Sequence, residues 1–330
     1  MKLDLSIIIA TLGFDSLDST LKSVIEYKNG YDIEVLVIGN VKKEIMERYK
    51  KIKFIRYIPC SFEYGDLSKK RNIGFENSRG EIVAFIDDDV NITSSWITNG
   101  LKHFKDPRVG IVSGPGITPK KTNFFIELFG TSMSSMGAGP VRNRYKIGKE
   151  LEVDEHGDKI IGCNMFIRKR VYSEMGGFDP NIIPAEEIDF ASRAIKKGYK
   201  VYMDPQAYVA HFARSNFKKF FRQIFRFGKS KINTIKRRII PLKLIYLLPI
   251  ITILLFPAFV IISFFSRILF EILIAGLILY FCFIFIASIA SLINTKRAIS
   301  ILLIFTIPLM HLAYGLGEFC EIFGIKTSID

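Results

Sequence analysis

Between Asp204 and Glu271 the 330-residue sequence has no acidic residue at all. Eleven lysines and arginines lie between Arg214 and Lys243 in that same stretch. Cysteine is scarce too: Cys60 and Cys163 lie in the first two thirds of the chain and Cys282 and Cys320 in the last third. None has metal-ligand spacing, so a cysteine metal site is excluded and a reducing compartment fits. Internal repeats and low-complexity linkers are missing. A cleavable leader is not expected either, because Ser6-Ile-Ile-Ile-Ala10 is too short and polar sequence follows it. The amino-terminal part is therefore expected to stay in the cytoplasm.

Long apolar runs are present, and they begin abruptly near residue 241. Leu242 to Phe265, Ile268 to Ile293 and Ala298 to Phe319 each exceed the roughly 20 residues a helix needs to cross a hydrocarbon core. Thr252-Ile-Leu-Leu-Phe-Pro-Ala-Phe-Val-Ile-Ile shows no amphipathic face, so three spans are expected rather than a buried soluble core. Lys296 and Arg297 mark the second connection as cytoplasmic, against Arg267 and Glu271 around the first. The carboxyl terminus would then lie outside. His311 and Glu318 are the polar exceptions in the last span, either functional or, for His311, a bond to a neighbouring helix. The basic block over 213–241, interleaved as Phe217-Lys-Lys-Phe-Phe-Arg-Gln-Ile-Phe-Arg-Phe, reads as an interfacial amphipathic segment attracted to anionic lipid. Its place beside spanning helices argues for membrane lipids as partners and no nucleic acid. The net charge of +14 is thus a local feature.

In the first 212 residues, Ile- and Val-rich runs alternate with helical patterns, the pattern of a parallel sheet covered on both faces. Strands are expected at Leu5 to Ala10, Ile33 to Ile38, Lys53 to Tyr57, Ile82 to Asp87 and Val109 to Ser113. Helices are expected at Ser16 to Tyr27, Lys42 to Tyr49, Leu67 to Asn77 and Ser94 to Phe104. Trp96 follows helical spacing with Ile97, Leu101 and Phe104 and reads as core. Beyond Ser113, Gly114-Pro-Gly-Ile-Thr-Pro119 and Met133-Ser-Ser-Met-Gly-Ala-Gly-Pro140 read as loops with hinge-capable glycines.

Ile82-Val-Ala-Phe-Ile-Asp87-Asp88-Asp89 ends a buried strand in three carboxylates. Asp is a poor strand former and adjacent like charges repel, so the cluster calls for a cation. A divalent metal carrying a diphosphate is the candidate, whereas a solvated helix-capping turn would explain one or two of the three. Ligands in such sheets bind beyond the carboxyl ends of the strands, where Thr11 and Gly39 also lie.

Four segments in order resemble the family 2 glycosyltransferases, over about residues 3–230. These are Leu5-Ser-Ile-Ile-Ile-Ala-Thr11; Lys70-Arg71-Asn72-Ile-Gly74 followed by Gly80-Glu-Ile-Val-Ala-Phe-Ile-Asp-Asp-Asp89; Gly176-Gly-Phe-Asp179 with Glu186-Glu187-Ile-Asp189-Phe and Arg193; and Tyr208-Val-Ala-His211. The resemblance implies an α/β fold: a GT-A nucleotide-diphospho-sugar transferase sandwich with a mostly parallel sheet (1–212), then the interfacial segment (213–241) and a three-helix transmembrane region (242–330). It implies a nucleotide-sugar-dependent enzyme using Mg2+ or Mn2+, with Asp87 on the ribose and Asp89 on the cation. His211 is either a further cation ligand or a structural strand-end histidine. Thr11, Asn40, Arg71 and Asp88 join Asp87 on the nucleotide-sugar side, and Asp189 and Arg193 fall on the acceptor side.

The acceptor hydroxyl must lose a proton as it attacks from the face opposite the leaving group, which points to an inverting reaction. In the family the second acidic residue of the pair is usually Asp; here it is Glu187, the expected base, with Glu186 kept open. Asn40 stands where the family commonly has an acidic residue, and Ala10 where it has a proline, so a UDP- and a GDP-linked donor both remain. Gln223-Ile-Phe-Arg226-Phe227 resembles the QxxRW element of processive polysaccharide synthases, with Phe for Trp, and Arg226 would meet a phosphate. The combined expectation is an integral membrane protein of the cell membrane with a cytoplasmic catalytic domain. Its acceptor is expected to be lipid-linked, a polyprenyl phosphate or a lipid-linked oligosaccharide. A processive synthase and a non-catalytic scaffold of the same fold are the alternatives.

Overall fold

The computed structural model describes residues 3–61, 66–120, 122–154, 159–182 and 184–327. In chain order the elements are β1 (Leu5–Thr11), α1 (Ser16–Tyr27), β2 (Ile33–Gly39), α2 (Lys43–Tyr49), β3 (Ile55–Ile58), α3 (Leu67–Glu76), β4 (Ile82–Asp87), β5 (Val90–Ile92), α4 (Trp96–Lys102), β6 (Val109–Ser113) and β7 (Gly116–Ile117). There follow α5 (Phe124–Ser134), β8 (Leu151–Glu152), β9 (Asn164–Arg168), α6 (Lys169–Glu174), α7 (Glu186–Lys196), β10 (Lys200–Met203), β11 (Val209–His211), α8 (Phe217–Lys236), α9 (Leu248–Ser263), α10 (Arg267–Thr295) and α11 (Leu303–Ile322). The chain divides into two units, Met1–Ile117 with Asn143–Phe212, and Thr118–Arg142 with Ala213–Asp330.

In the first unit the main sheet has the order β3-β2-β1-β4-β9-β6-β10-β8. Strands β1, β2, β3 and β4 are parallel, β9 runs against both β4 and β6, and β10 is parallel to β6. The apolar runs are almost continuous because both faces are covered. Ile7, Ile9, Val35, Val37, Ala84 and Ile86 point to one layer with Leu17, Leu21, Trp96 and Ile97. Ile8, Leu36, Ile38, Val83 and Phe85 point to the other with Tyr172, Phe178, Phe190 and Ala194. Trp96 is fully buried, its indole N–H donating to Asn164 Oδ1 at 2.8 Å, so its place is the core. A second sheet, β5-β11-β7, pairs His211 with Val90.

Register aligns the strand ends: Thr11 pairs with Gly39, and Ala10 with Asp87. Several bounds differ from expectation by a single residue, and two elements, β3 and α4, by two. β3 starts at Ile55 because Ile55 N–H closes a turn onto Ile52 O at 3.1 Å, and α4 tightens after Lys102 into a 3-10 turn, His103–Lys105.

The second unit holds three helices long and apolar enough to cross a membrane, Leu244–Ser263, Arg267–Thr295 and Ala298–Ile322. The Met133 to Pro140 stretch, expected as loop, instead ends α5 and continues as a 3-10 helix, Met136–Arg144, kinked at Gly139 with φ +58°. It is held because His311 Nε2 donates to Gly137 O at 2.9 Å while its Nδ1 accepts from Tyr280 OH of α10 at 3.0 Å. His311 therefore bonds a neighbouring helix. The apolar face of α8 is buried in this unit, with Phe220 stacked on Phe129 of α5 at 4.1 Å. Helices α8 and α11 touch backbone to backbone: a Cβ at Gly317 would lie 2.0 Å from Phe225 O, and one at Gly228 2.0 Å from Tyr314 O. Small residues permit this approach between helices in lipid. Glu318 is buried and accepts from Ile250 N–H at 3.1 Å, one of the first-turn donors of α9 that lacks an intrahelical partner.

Candidate active site

The carboxyl ends of β1, β2 and β4 form one edge. Gly39 closes β2 with φ +130°, where a Cβ would meet Thr11 O at 2.2 Å, so only glycine lets the two strand ends approach this way. Thr11 Oγ1 donates to Asp88 Oδ2 and accepts from Gly13 N–H at 2.9 Å, while Asp88 O accepts from Thr20 Oγ1 at 3.0 Å. Asp88 is thus turned into the sheet edge. Burial pushes its carboxyl up to about 6, with the Thr11 bond opposing and the Asp89 and Asp87 charges adding to the rise. Asn40 is exposed at the end of β2.

Asp89 lies between β4 and β5, and β11 brings His211 to it: Nε2 is 3.6 Å from Asp89 Oδ1, too long for a hydrogen bond. That Oδ1 is buried and has no hydrogen-bond partner among the described residues. A buried carboxylate oxygen without a donor costs free energy unless something positive meets it. An oxygen and an imidazole nitrogen facing each other suit a divalent cation, so these residues fit a metal.

Across the edge, α7 opens with Glu186 and Glu187, both buried. Ala185 just before them adopts φ +112°, a conformation that favours glycine, and this turn starts the helix with both carboxylates in its first turn. Arg71 from α3, with 2% exposure, links the two sides. It donates to Glu186 Oε1 at 2.8 Å, Asp87 Oδ1 at 3.0 Å and Gly162 O at 2.8 Å. Burial disfavours its charge, but Asp87, Glu186 and Glu187 outweigh that and raise it further. Burial, with the Glu187 charge beside it, raises the Glu186 carboxyl well above its ordinary range. Glu187 Oε1 lies 3.4 Å from Arg144 Nη1. Lys70 is buried as well and donates to Thr11 O at 2.8 Å; burial lowers its ammonium.

The structure therefore gathers Thr11, Arg71, Asp87, Asp88, Asp89, Glu186, Glu187 and His211 at one end of the sheet. Asp189 and Arg193 do something else: they pair at 2.8 Å, and Arg193 also donates to Met175 O and to Gly177 O at 2.9 Å, tying down the Gly176-Gly177 turn. Gln223 and Arg226 belong to α8 in the second unit. Asp66 takes the N-cap position of α3 without a side-chain capping bond and pairs with Lys69 at 2.9 Å. Sequence reasoning missed Arg144, Gly162 and the buried Cys163, none of which lies in a motif. It also missed a cluster of His103, Glu150 and Asp204 with metal-ligand spacing. There Lys102 Nζ sits 2.7 Å from Asp204, supplying the positive charge from within the chain.

Residues 6–176, just over half of the chain, match the sequence model of Glycosyl transferase family 2. This chain belongs to glycosyltransferase family 2. Similar curated proteins include Glycosyltransferase AglE of Haloferax volcanii, 25% identical over 206 residues, which are 60% of this chain and 62% of that protein. Another from the same organism, Glucosyl-dolichyl phosphate glucuronosyltransferase, is 24% identical over 60% of this chain and 64% of its own length. Dolichyl N-acetyl-alpha-D-glucosaminyl phosphate 3-beta-D-2,3-diacetamido-2,3-dideoxy-beta-D-glucuronosyltransferase of Methanococcus voltae is 28% identical over 43% of this chain and 40% of its own length. The chain spans about three fifths of the length of the Haloferax relatives. Among solved structures, mannosyltransferase PcManGT of Pyrobaculum calidifontis, in complex with GDP-Man and Mn2+, has TM-score 0.59 at 14% identity, covering 99% of this chain and 89% of that one. That likeness concerns the fold, which is GT-A.

Proposed function

We propose that this family 2 member is a membrane-anchored, metal-dependent, inverting glycosyltransferase that moves a sugar from a UDP- or GDP-linked donor to a lipid-linked acceptor. The observation that carries the reading is the pairing at one sheet edge of a buried Asp89 oxygen, facing His211 and without a hydrogen-bond partner among the described residues, with a buried Glu186–Glu187 pair. In this reading Asp89 and His211 hold the divalent cation, Mg2+ or Mn2+. When bound, the cation neutralises charge on the departing nucleotide diphosphate. Asp87, half exposed, takes the ribose, and Asn40 faces the nucleotide. Thr11 and Asp88 act by fixing the strand ends on which these groups stand.

Glu187 takes the proton of the acceptor hydroxyl as that oxygen attacks from the face opposite the leaving group. Glu186 is held by Arg71 at 2.8 Å, whereas Glu187 meets Arg144 at 3.4 Å, and this looser pairing makes Glu187 the better base. Asp189 and Arg193 hold the turn on the acceptor side in place. The lipid-linked acceptor is supported by the names of one Haloferax relative and of the Methanococcus relative, which specify dolichyl-phosphate-linked sugars. Three apolar helices would keep such an acceptor and the crevice on one surface, raising their effective concentration. In this reading the domains are a cytoplasmic catalytic part to residue 212, less the segment 118–142 that groups with the helices, a basic interfacial part to 241 and the anchor beyond.

The test is transfer of radiolabel from a panel of nucleotide sugars into organic-extractable lipid by membranes carrying the full chain. Label entering only water-soluble acceptors overturns the lipid-linked acceptor, and long polymer would indicate a processive synthase. Asp89→Ala is expected to abolish metal-dependent donor binding in calorimetry. A wild-type protein that neither transfers sugar nor binds any donor would be a scaffold.

A further inference from the structure

We infer that Arg71 is a positioning residue: it ties the Asp87 side of the crevice to the Glu186 side and sets its positive charge against the buried Glu186 carboxylate. This rests on the proposed function, and it reassigns Arg71 from the nucleotide-sugar side to the protein's own carboxylates.

The geometry carries the argument. One guanidinium nitrogen serves Glu186 on α7, and the other serves both Asp87 on β4 and the Gly162 carbonyl before β9. The Cζ of the group lies over the Phe178 ring, 5.6 Å from its centroid, and the side chain is almost fully removed from solvent. A residue whose donors end on three different elements, under an aromatic ring, is placed to hold those elements in register. Lysine, a single point charge on a flexible stem, cannot make the same fork.

The charges facing the pair come from several elements. Arg71 lies on α3 and Arg144 in the segment before β8; Asp87 and Asp89 lie at the end of β4, and the buried Cys163 thiol beside them. On α7 itself, Asp189 and Arg193 are paired with each other. Remove Arg71, and the arginine Arg144 is left among four carboxylates. The pair then takes up a proton at higher pH, because an opposite charge within bonding distance moves a carboxylate by about 1–3 pH units.

The experiment compares wild type, Arg71→Met, Arg71→Lys and Glu186→Gln as full chains in membranes. In the pH dependence of kcat/KM, the acidic limb of Arg71→Met is expected to move up by about one pH unit or more. Arg71→Lys is expected to keep the limb near its wild-type position while kcat falls, and Glu186→Gln to move it down, since the like charge beside Glu187 is gone. An unmoved limb in Arg71→Met, or a loss confined to the donor KM, overturns the inference. Infrared titration of the buried protonated-carboxyl band gives the same comparison without turnover, so an inactive wild type, which would overturn the proposed function, still leaves this inference decided. Should Arg71→Met fail to fold, Arg71→Gln, which keeps hydrogen-bond donors but no charge, carries the test: an unmoved limb and band overturn the inference.

Discussion

Glu34 shows how one charged residue can be held inside the sheet for stability alone. It sits at the end of β2 opposite the candidate site, with 1% exposure, accepting from Ser6 Oγ at 2.7 Å, Arg79 N–H at 2.6 Å and Arg79 Nε at 2.9 Å. Burial opposes its charge, but these bonds outweigh burial and hold the carboxyl below its ordinary range. A lowered carboxyl contributes stability that is present above the unfolded value and lost as pH falls through the folded one. Glu34→Gln is therefore expected to lower unfolding stability by about 1.5–3 kcal/mol at neutral pH, a gap that narrows on acidification. Thermal unfolding in detergent across pH 3–8 measures it, and a gap that does not change with pH would refute the assignment. At this scale much of the site was legible in the sequence. Asp87 to Asp89 stood out because carboxylates at a strand end need a partner, and Glu186-Glu187 because they open a helix. Arg71 was legible as important but not in its role, since nothing in Lys70-Arg71-Asn72 tells that the guanidinium turns inward to Glu186, more than a hundred positions away.

Elements obeyed periodicity where burial is two-sided and escaped it where glycine or a hydrogen bond decides. Strand β4 and helix α1 have their expected bounds because apolar spacing alone specifies them. Met133 to Pro140 looked like loop, since its glycines break any apolar period, yet His311 and the close approach of Gly137 to Ile307 hold it as helix end and 3-10 turn. The α8–α11 crossing also depends on glycine. Gly317→Val places side-chain atoms where Phe225 O already stands, so the helices must separate. We expect a loss of about 2–4 kcal/mol, in the range for forced overpacking and lost contacts, and a lower yield of folded protein in detergent. Gly276, with open space around it, is the control, and Gly276→Val is expected to be near neutral.

For the whole molecule, the consequence of three spans is topological. Lys296 is exposed in the connection between α10 and α11, and the proposed orientation, argued from the lysine–arginine bias, would place that connection on the cytoplasmic side. In a variant lacking native cysteines, Lys296→Cys is expected to react with an impermeant maleimide only after cells are opened, and a cysteine at the carboxyl terminus before. The reverse pattern would put the catalytic part outside and overturn the cytoplasmic assignment.

Membrane capacity, the α/β class and the acidic strand end were determined by the sequence by itself, because length, hydropathy and period are local and survive without knowing any partner. Family membership was legible for the same reason: its motifs are short and ordered along the chain. Tertiary structure alone decided that segment 118–142 groups with the helices rather than with the sheet, that Asp88 turns inward while an Asp89 oxygen has no hydrogen-bond partner among the described residues, and that Arg71 joins two carboxylate sets. Each of these depends on contacts between residues far apart in sequence, and such contacts are set by how layers pack, which no local pattern encodes.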